Sequence, residues 1–347
     1  MIDHDKMNAL ASQFYFPLID RQHGKLGVDA LRQILGFIQQ FYLHVAPETR
    51  TSRILVFKHL NDLPTNVLSG AHEAQSVHHM PALSQEPIVM QIFENGRMLL
   101  SQSVSVSPEG LAQDGVVYIY QNRIETIHAK NEYTTLPNPL IGYASMFAIP
   151  TFDDLKTALH EYKTKQARKC SCLILADVWS DDNRLLFRSA PEKIMRNSLT
   201  QFLKHTLRGN VEVRPEQIVN ATRPVDIKVT WFMTNRLALI EIKWIGASKG
   251  KKGKLTKRFD GRAREGAKQL ADYLDANVVQ APVHESRGYL VVLDGRRGGL
   301  KTSTKQLNPA NGLKYESKEI AYSPEFHKKR NDFEVPFRMF IEPICTL

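Results

Sequence analysis

Asp226 stands fifteen residues ahead of Glu241-Ile242-Lys243, and both groups lie in runs with β-strand character. Two carboxylates and an ammonium brought together across neighbouring strands can hold a divalent cation beside a phosphate. Hard oxygen donors suit such a cation, and lysine adds a compact positive charge. The run Val225-Asp226-Ile227-Lys228-Val229-Thr230-Trp231 alternates, so Asp226, Lys228 and Thr230 share a face away from the apolar layer. In Leu237-Ala238-Leu239-Ile240-Glu241-Ile242-Lys243-Trp244 the residues are apolar until Glu241 and Lys243, which point the same way because they are two apart. Thr234-Asn235-Arg236 supplies a turn, and an antiparallel hairpin of this length brings Asp226 near Glu241.

Two helices flank this hairpin in sequence. From Pro191 to Leu207 the positions Met195, Ser198, Leu199, Phe202, Leu203 and Thr206 recur at helical spacing, and Glu192 precedes Met195 by three on the same stripe. Glu192 has two readings: a carboxylate aimed at the metal site, or a first-turn partner of the helix dipole or of Arg196. A second helix is expected over Arg262 to Ala276, with Gln269 and Tyr273 four apart on one face. Their donors suit a phosphate or the lysine, against the plainer reading of a half-buried tyrosine and a surface glutamine.

Pro224-Val225-Asp226, Glu241-Ile242-Lys243 and Gln269-Leu270-Ala271-Asp272-Tyr273, in this order, resemble the PD-(D/E)XK nuclease superfamily. The Gln-xxx-Tyr element marks its RecB-like branch. The resemblance covers roughly Pro191 to Leu293, and one departure is the valine between Pro224 and Asp226. It implies an α/β, restriction-endonuclease-like mixed sheet flanked by helices. It also implies Mg²⁺ or Mn²⁺ held by Asp226, Glu241, the Ile242 backbone carbonyl and Glu192, with Lys243 orienting the attacking water. The implied reaction is phosphodiester hydrolysis, of DNA foremost, with RNA open, in a prokaryotic setting of anti-phage defence, restriction or repair. The rival is a non-catalytic nucleic-acid-binding or scaffold protein of the same fold.

Between the hairpin and the second helix lies a basic run, with Lys249, Lys251, Lys252, Lys254, Lys257 and Arg258, continued by Arg262, Arg264 and Lys268. Gly246, Gly250 and Gly253 loosen its first half. Such a run beside a metal site is suited to tracking a polyphosphate backbone. Arg296 and Arg297, after the apolar strand Gly288 to Asp294, extend the same charge.

The chain of 347 residues has length for two domains, and its net charge of +10 favours an anionic partner. No run of eighteen apolar residues exists and the first residues, with Asp3, His4, Asp5 and Lys6, do not form a signal peptide, so a cytoplasmic protein without membrane association is expected. Cys170 and Cys172 are two apart on an apolar strand and are expected as free thiols, Cys345 is nearly terminal, and the strand itself is expected from Ser171 to Asp177.

Residues 1–150 read as an α+β sensing, docking or regulatory module, with a protein partner or ligand of its own, and 151–347 as the nuclease-type domain; a homo-oligomer is compatible with both. In the first module a helix is expected from Lys25 or Val28 to Tyr42. Strands follow at Ser52 to Phe57, Ile88 to Phe93, Met98 to Val106 and Val116 to Tyr120. Glu94-Asn95-Gly96-Arg97 reads as a hairpin turn and His78-His79 as exposed loop. A helix over Phe152 to Gln166, a short strand from Arg184 to Phe187 and a closing strand from Pro336 to Ile341 complete the reading.

Overall fold

A computed structural model describes residues 15–346 apart from 62–67, 69, 80–82, 84, 103, 137–142, 219–223 and 251–253. The chain is mixed α/β and divides into two units, Met1–Asp153 and Asp154–Leu347, each built on its own mixed sheet.

In the first unit, helix α1 (Phe16–His44) is kinked at Gly24, whose φ of 59° lies outside the helical region. The segment after the kink is the helix expected from Lys25 onward. Its buried Leu31, Ile34, Ile38 and Phe41 form the stripe that helical spacing gives. Strands β1 (Ile54–His59), β2 (His72–Ala74), β3 (Ile88–Ile92), β4 (Met98–Gln102), β5 (Gly115–Gln121), β6 (Ile124–Ala129) and β7 (Glu132–Thr135) form one sheet. Their order is β2-β4-β3-β1-β5-β6-β7, with β1 and β3 parallel and every other pair antiparallel. Ile54 and Val56 pack with α1, whereas Leu55 and Phe57 join a second cluster with Val117 and Leu111, so the alternation of β1 serves two cores. Gly96, with φ 82°, closes the expected hairpin turn. His79 ends a short 3₁₀ helix (Val77–His79) and is exposed. The expected strand Met98 to Val106 stops at Gln102.

Helix α2 (Phe152–Glu161) begins two residues before the unit boundary and runs on as a π-helix (Tyr162–Ala167). The strand expected from Ser171 to Asp177 is not one: Leu173–Ala176 is a single helical turn in which Leu173 is 87% exposed. Cys170 has φ 50°, so the chain turns just where a strand would enter. Its three cysteines are free, with Cys170 buried. Nor is Arg184 to Phe187 a strand; Phe187 makes only isolated bridges to Trp179 and Ser248.

Helix α3 (Glu192–Thr206) precedes the second sheet, made of β8 (Val211–Ile218), β9 (Pro224–Trp231), β10 (Arg236–Lys249), β11 (Leu255–Arg258), β12 (Glu285–Gly295) and β13 (Phe337–Phe340). Its order is β13-β12-β10-β9-β8, with β11 paired to the far end of β10. β12 runs parallel to β10 and β13, and the β8-β9-β10 part is antiparallel. Helix α4 (Asp260–Gln280) is longer at both ends than the expected Arg262 to Ala276. It packs Ala263, Ala267, Leu270, Tyr273 and Leu274 on Leu239, Leu290 and Val292. Among the described residues no helix is long and apolar enough to cross a membrane.

Candidate active site

β10 sits in mid-sheet with its residues buried from Arg236 to Ser248, so the run is apolar for the reason central strands are. Glu241 and Lys243 break that pattern and are themselves 1% and 4% exposed. Burying ionisable groups is costly unless they are paired or bind a ligand. Lys243 Nζ donates to Glu241 Oε1. Glu241 Oε2 is also buried, and among the described residues it has no hydrogen-bond partner.

Asp226 arrives from β9. The ladder pairs Trp231 with Arg236 and continues to Ile227 opposite Ile240, where the regular pairing ends. Beyond that point the Asp226 side chain takes over: Oδ2 accepts the Ile242 N–H at 2.8 Å, and Oδ1 accepts from Arg196 Nη1 at 3.1 Å. The Ile242 carbonyl points to the same edge of β10 as its N–H, as in any extended strand.

The field at this cluster shows in its acidity. Burial, then the charge of Asp226, pushes Glu241 up to about 7, with Lys243 opposing. Burial likewise raises Asp226, against the Ile242 N–H, Lys243 and Arg196, which favour its anion.

Glu192 lies in the first turn of α3, and its charge is felt at Glu241. Its Oε1 accepts from Arg262 Nη2 of α4 at 2.9 Å. The pairing of Glu192 with Arg196 is corrected, because Arg196 is turned inward and bound to Asp226 and Glu216. Arg196 and Arg262 were thus missed as the partners of the acids. The signal available for Arg196 was its place directly beside Met195 on a helix facing the hairpin.

Among the described residues no three His, Cys, Asp or Glu side chains gather as a group that could hold a metal ion. What the site offers is a pair of carboxylates with one orphaned buried oxygen, and the Ile242 carbonyl. That all-oxygen donor set fits Mg²⁺ or Mn²⁺, which Asp226, Glu241 and the Ile242 carbonyl would hold, while Glu192 is paired with Arg262.

α4 positions the lysine. A Cβ on Gly266 would lie 2.5 Å from Lys243 Cγ and 3.2 Å from Cε, so the helix backbone rests on the lysine stem. The run of small residues Ala263, Gly266 and Ala267 at helical spacing was the sequence signal for this close approach.

One turn on, Gln269 Nε2 donates to the Tyr273 hydroxyl at 2.5 Å, and that hydroxyl donates to the Pro224 carbonyl at 3.0 Å. Tyr273 is buried. The pair therefore ties α4 to the first residue of the strand that carries Asp226.

Of the basic run, Lys249 at the end of β10, Lys254 just before β11, and Lys257 and Arg258 on β11 are exposed, while Lys251 and Lys252 lie outside the described residues. No family model matches the chain, and no curated protein and no solved structure matches it either.

Proposed function

We propose that the C-terminal unit is a restriction-endonuclease-like domain that hydrolyses phosphodiester bonds of nucleic acid, DNA foremost, with Mg²⁺ or Mn²⁺. The observation that carries this reading is the buried, unpartnered Oε2 of Glu241 beside Asp226 and Lys243. A stranded acceptor costs about 1–3 kcal/mol, which a cation bound at that oxygen would offset.

A bound divalent cation would lower the pKa of water and offset charge on a phosphoryl oxygen. The chain's own residues do the rest. Asp226 is fixed by the Ile242 N–H and Arg196, so its carboxylate keeps one orientation. Glu241 presents one oxygen to Lys243 and leaves the other free to bind. Lys243, held between Glu241 and the α4 backbone at Gly266, can orient an attacking water and stabilise charge developing on the phosphate. Exposed Lys249, Lys254, Lys257 and Arg258 can draw the substrate backbone in.

A non-catalytic nucleic-acid binder is the second reading, favoured by Glu192 being engaged with Arg262, which leaves two carboxylates at the centre. The deciding experiment incubates the protein with supercoiled, linear and single-stranded DNA and with RNA, in Mg²⁺, in Mn²⁺ and in chelator. Cleavage that disappears with chelator and in Glu241→Ala supports hydrolysis. Binding without cleavage of any substrate supports the second reading.

A further inference from the structure

Toward the C-terminal end of β10, at Gly246 and Ala247 beyond Glu241 and Lys243, the second unit holds a cavity of about 340 Å³. Volumes of this order accommodate small ligands. Its lining includes Lys257, Lys301, Lys314, Arg296 and Arg297 and no carboxylate. Arg296 is neutralised, bound to Asp294 and Asp260. The other four are not: among the described residues Lys257, Lys301, Lys314 and Arg297 form no ion pair.

Arg297 is buried: its guanidinium donates to the carbonyls of Arg184, Arg296 and Ile341 and lies against the rings of Trp179 and Phe340, and among the described residues it meets no carboxylate as an ion pair. Burial accordingly holds it down at about 10. Four like charges around one concavity repel one another, and an anion in the middle relieves all of them together.

The wall also carries Phe259, 60% exposed. Among the described residues its ring stacks on no aromatic and carries no cation, unlike Tyr315, which Arg296 and Lys318 cover. An open aromatic face beside a cationic pocket matches a planar base joined to a phosphate.

We propose that this cavity is a binding site for a nucleoside phosphate, the phosphate held by Lys301, Lys314 and Lys257 over Arg297, and the base laid on Phe259. The occupant is either the phosphorylated end of a strand or a free nucleotide. None of Asp226, Glu241 and Lys243 lines the cavity, so its occupancy does not depend on hydrolysis.

The test is calorimetric titration of the full chain, in chelator, with AMP, adenosine and inorganic phosphate. AMP should bind at least about ten-fold tighter than adenosine. Lys301→Ala with Lys314→Ala should weaken AMP and inorganic phosphate by about ten-fold or more, whereas Phe259→Ala should weaken AMP and leave inorganic phosphate unchanged. Matching thermal midpoints for these exposed positions establish that the variants are folded.

A 5′-phosphorylated pentanucleotide that displaces AMP, when its 5′-hydroxyl counterpart does not, identifies a strand end. Failure of both to displace AMP identifies a free nucleotide. If AMP and phosphate do not bind the wild type, or bind the double lysine variant equally well, the proposal is overturned. Asp226→Ala should bind AMP as the wild type does, so loss of the hydrolytic reading would leave this result standing.

Discussion

Asp226 accepts the backbone N–H of Ile242 through Oδ2 at 2.8 Å, just past the last regular pair of its strand with β10, Ile227 opposite Ile240. A side chain thereby substitutes for the strand's backbone acceptor, and one acidic group serves both the sheet and the site.

That double duty separates two substitutions. Asp226→Asn keeps an acceptor for the Ile242 N–H and should stay within about 1 kcal/mol of wild-type stability. Asp226→Ala strands a buried donor and should lose about 1–3 kcal/mol. Both should lose roughly three decades or more of nuclease rate, as should Glu241→Ala, since a missing ligand removes water activation worth several kcal/mol. Urea midpoints and cleavage assays check this together, and an Asp226→Asn variant that cleaves at wild-type rate refutes the site.

For the lysine, Lys243→Ala should keep metal affinity and lose about 10²- to 10³-fold in rate, the scale of one preorganised charge stabiliser. Lys243→Arg should rescue poorly, because a planar fork does not fit where a compact ammonium is clamped. Gly266→Ala tests the clamp from the other side. Its Cβ would fall 2.5 Å from Lys243 Cγ, so the lysine or the helix must shift. Overpacking of this kind costs about 1–3 kcal/mol and should lower turnover more than substrate affinity. Wild-type kinetics in Gly266→Ala would show that Lys243 tolerates displacement.

Glu241 titrates near neutrality, which fixes the sign of two pH effects. Its acidity in the folded chain is pushed up from an ordinary 4.5 to about 7, foremost by burial. The unfolded chain therefore ionises first, and without metal stability falls as pH rises from about 4.5 to about 7, by up to about 3 kcal/mol. Cation binding needs the carboxylate, so the rise in melting temperature caused by Mg²⁺ should be small at pH 6 and larger at pH 8. Glu241→Gln should flatten both dependences. Melting curves with and without Mg²⁺ measure them, and a Mg²⁺ effect that does not change with pH excludes Glu241 as a ligand.

The acids and the lysine were legible because strand alternation gives the side of each residue from sequence alone. Their partners were not: Arg196 and Arg262 meet Asp226 and Glu192 only through the packing of α3 and α4 on the sheet. In the first unit β6 escaped notice for a related reason. Its first inward position is Glu125, ahead of Ile127 and Ala129, buried where an apolar residue would have shown the strand, and satisfied there by Tyr118, Ser145 and the Met146 N–H. The segment Leu173–Ala176 failed in the opposite sense. An apolar run looks like a strand, yet among the described residues it pairs with no strand, and it leaves Leu173 in solvent.

The basic run should grip phosphates without reading bases. Lys249 at the end of β10, Lys254 just before β11, and Lys257 and Arg258 on β11 are exposed, and Phe259 is the aromatic that follows them. Charges so placed contribute chiefly through counterion release, which is indifferent to sequence. Neutralising Lys251, Lys252, Lys254 and Lys257 together should weaken binding equally for unrelated sequences. It should also flatten the plot of log affinity against log salt by about 0.7 to 0.9 for each phosphate that the chain no longer neutralises. Fluorescence anisotropy at several salt concentrations, in chelator so that no substrate is consumed, gives both quantities. An unchanged slope would make the run a solvated loop, and the strand would then be held by other cations of the chain.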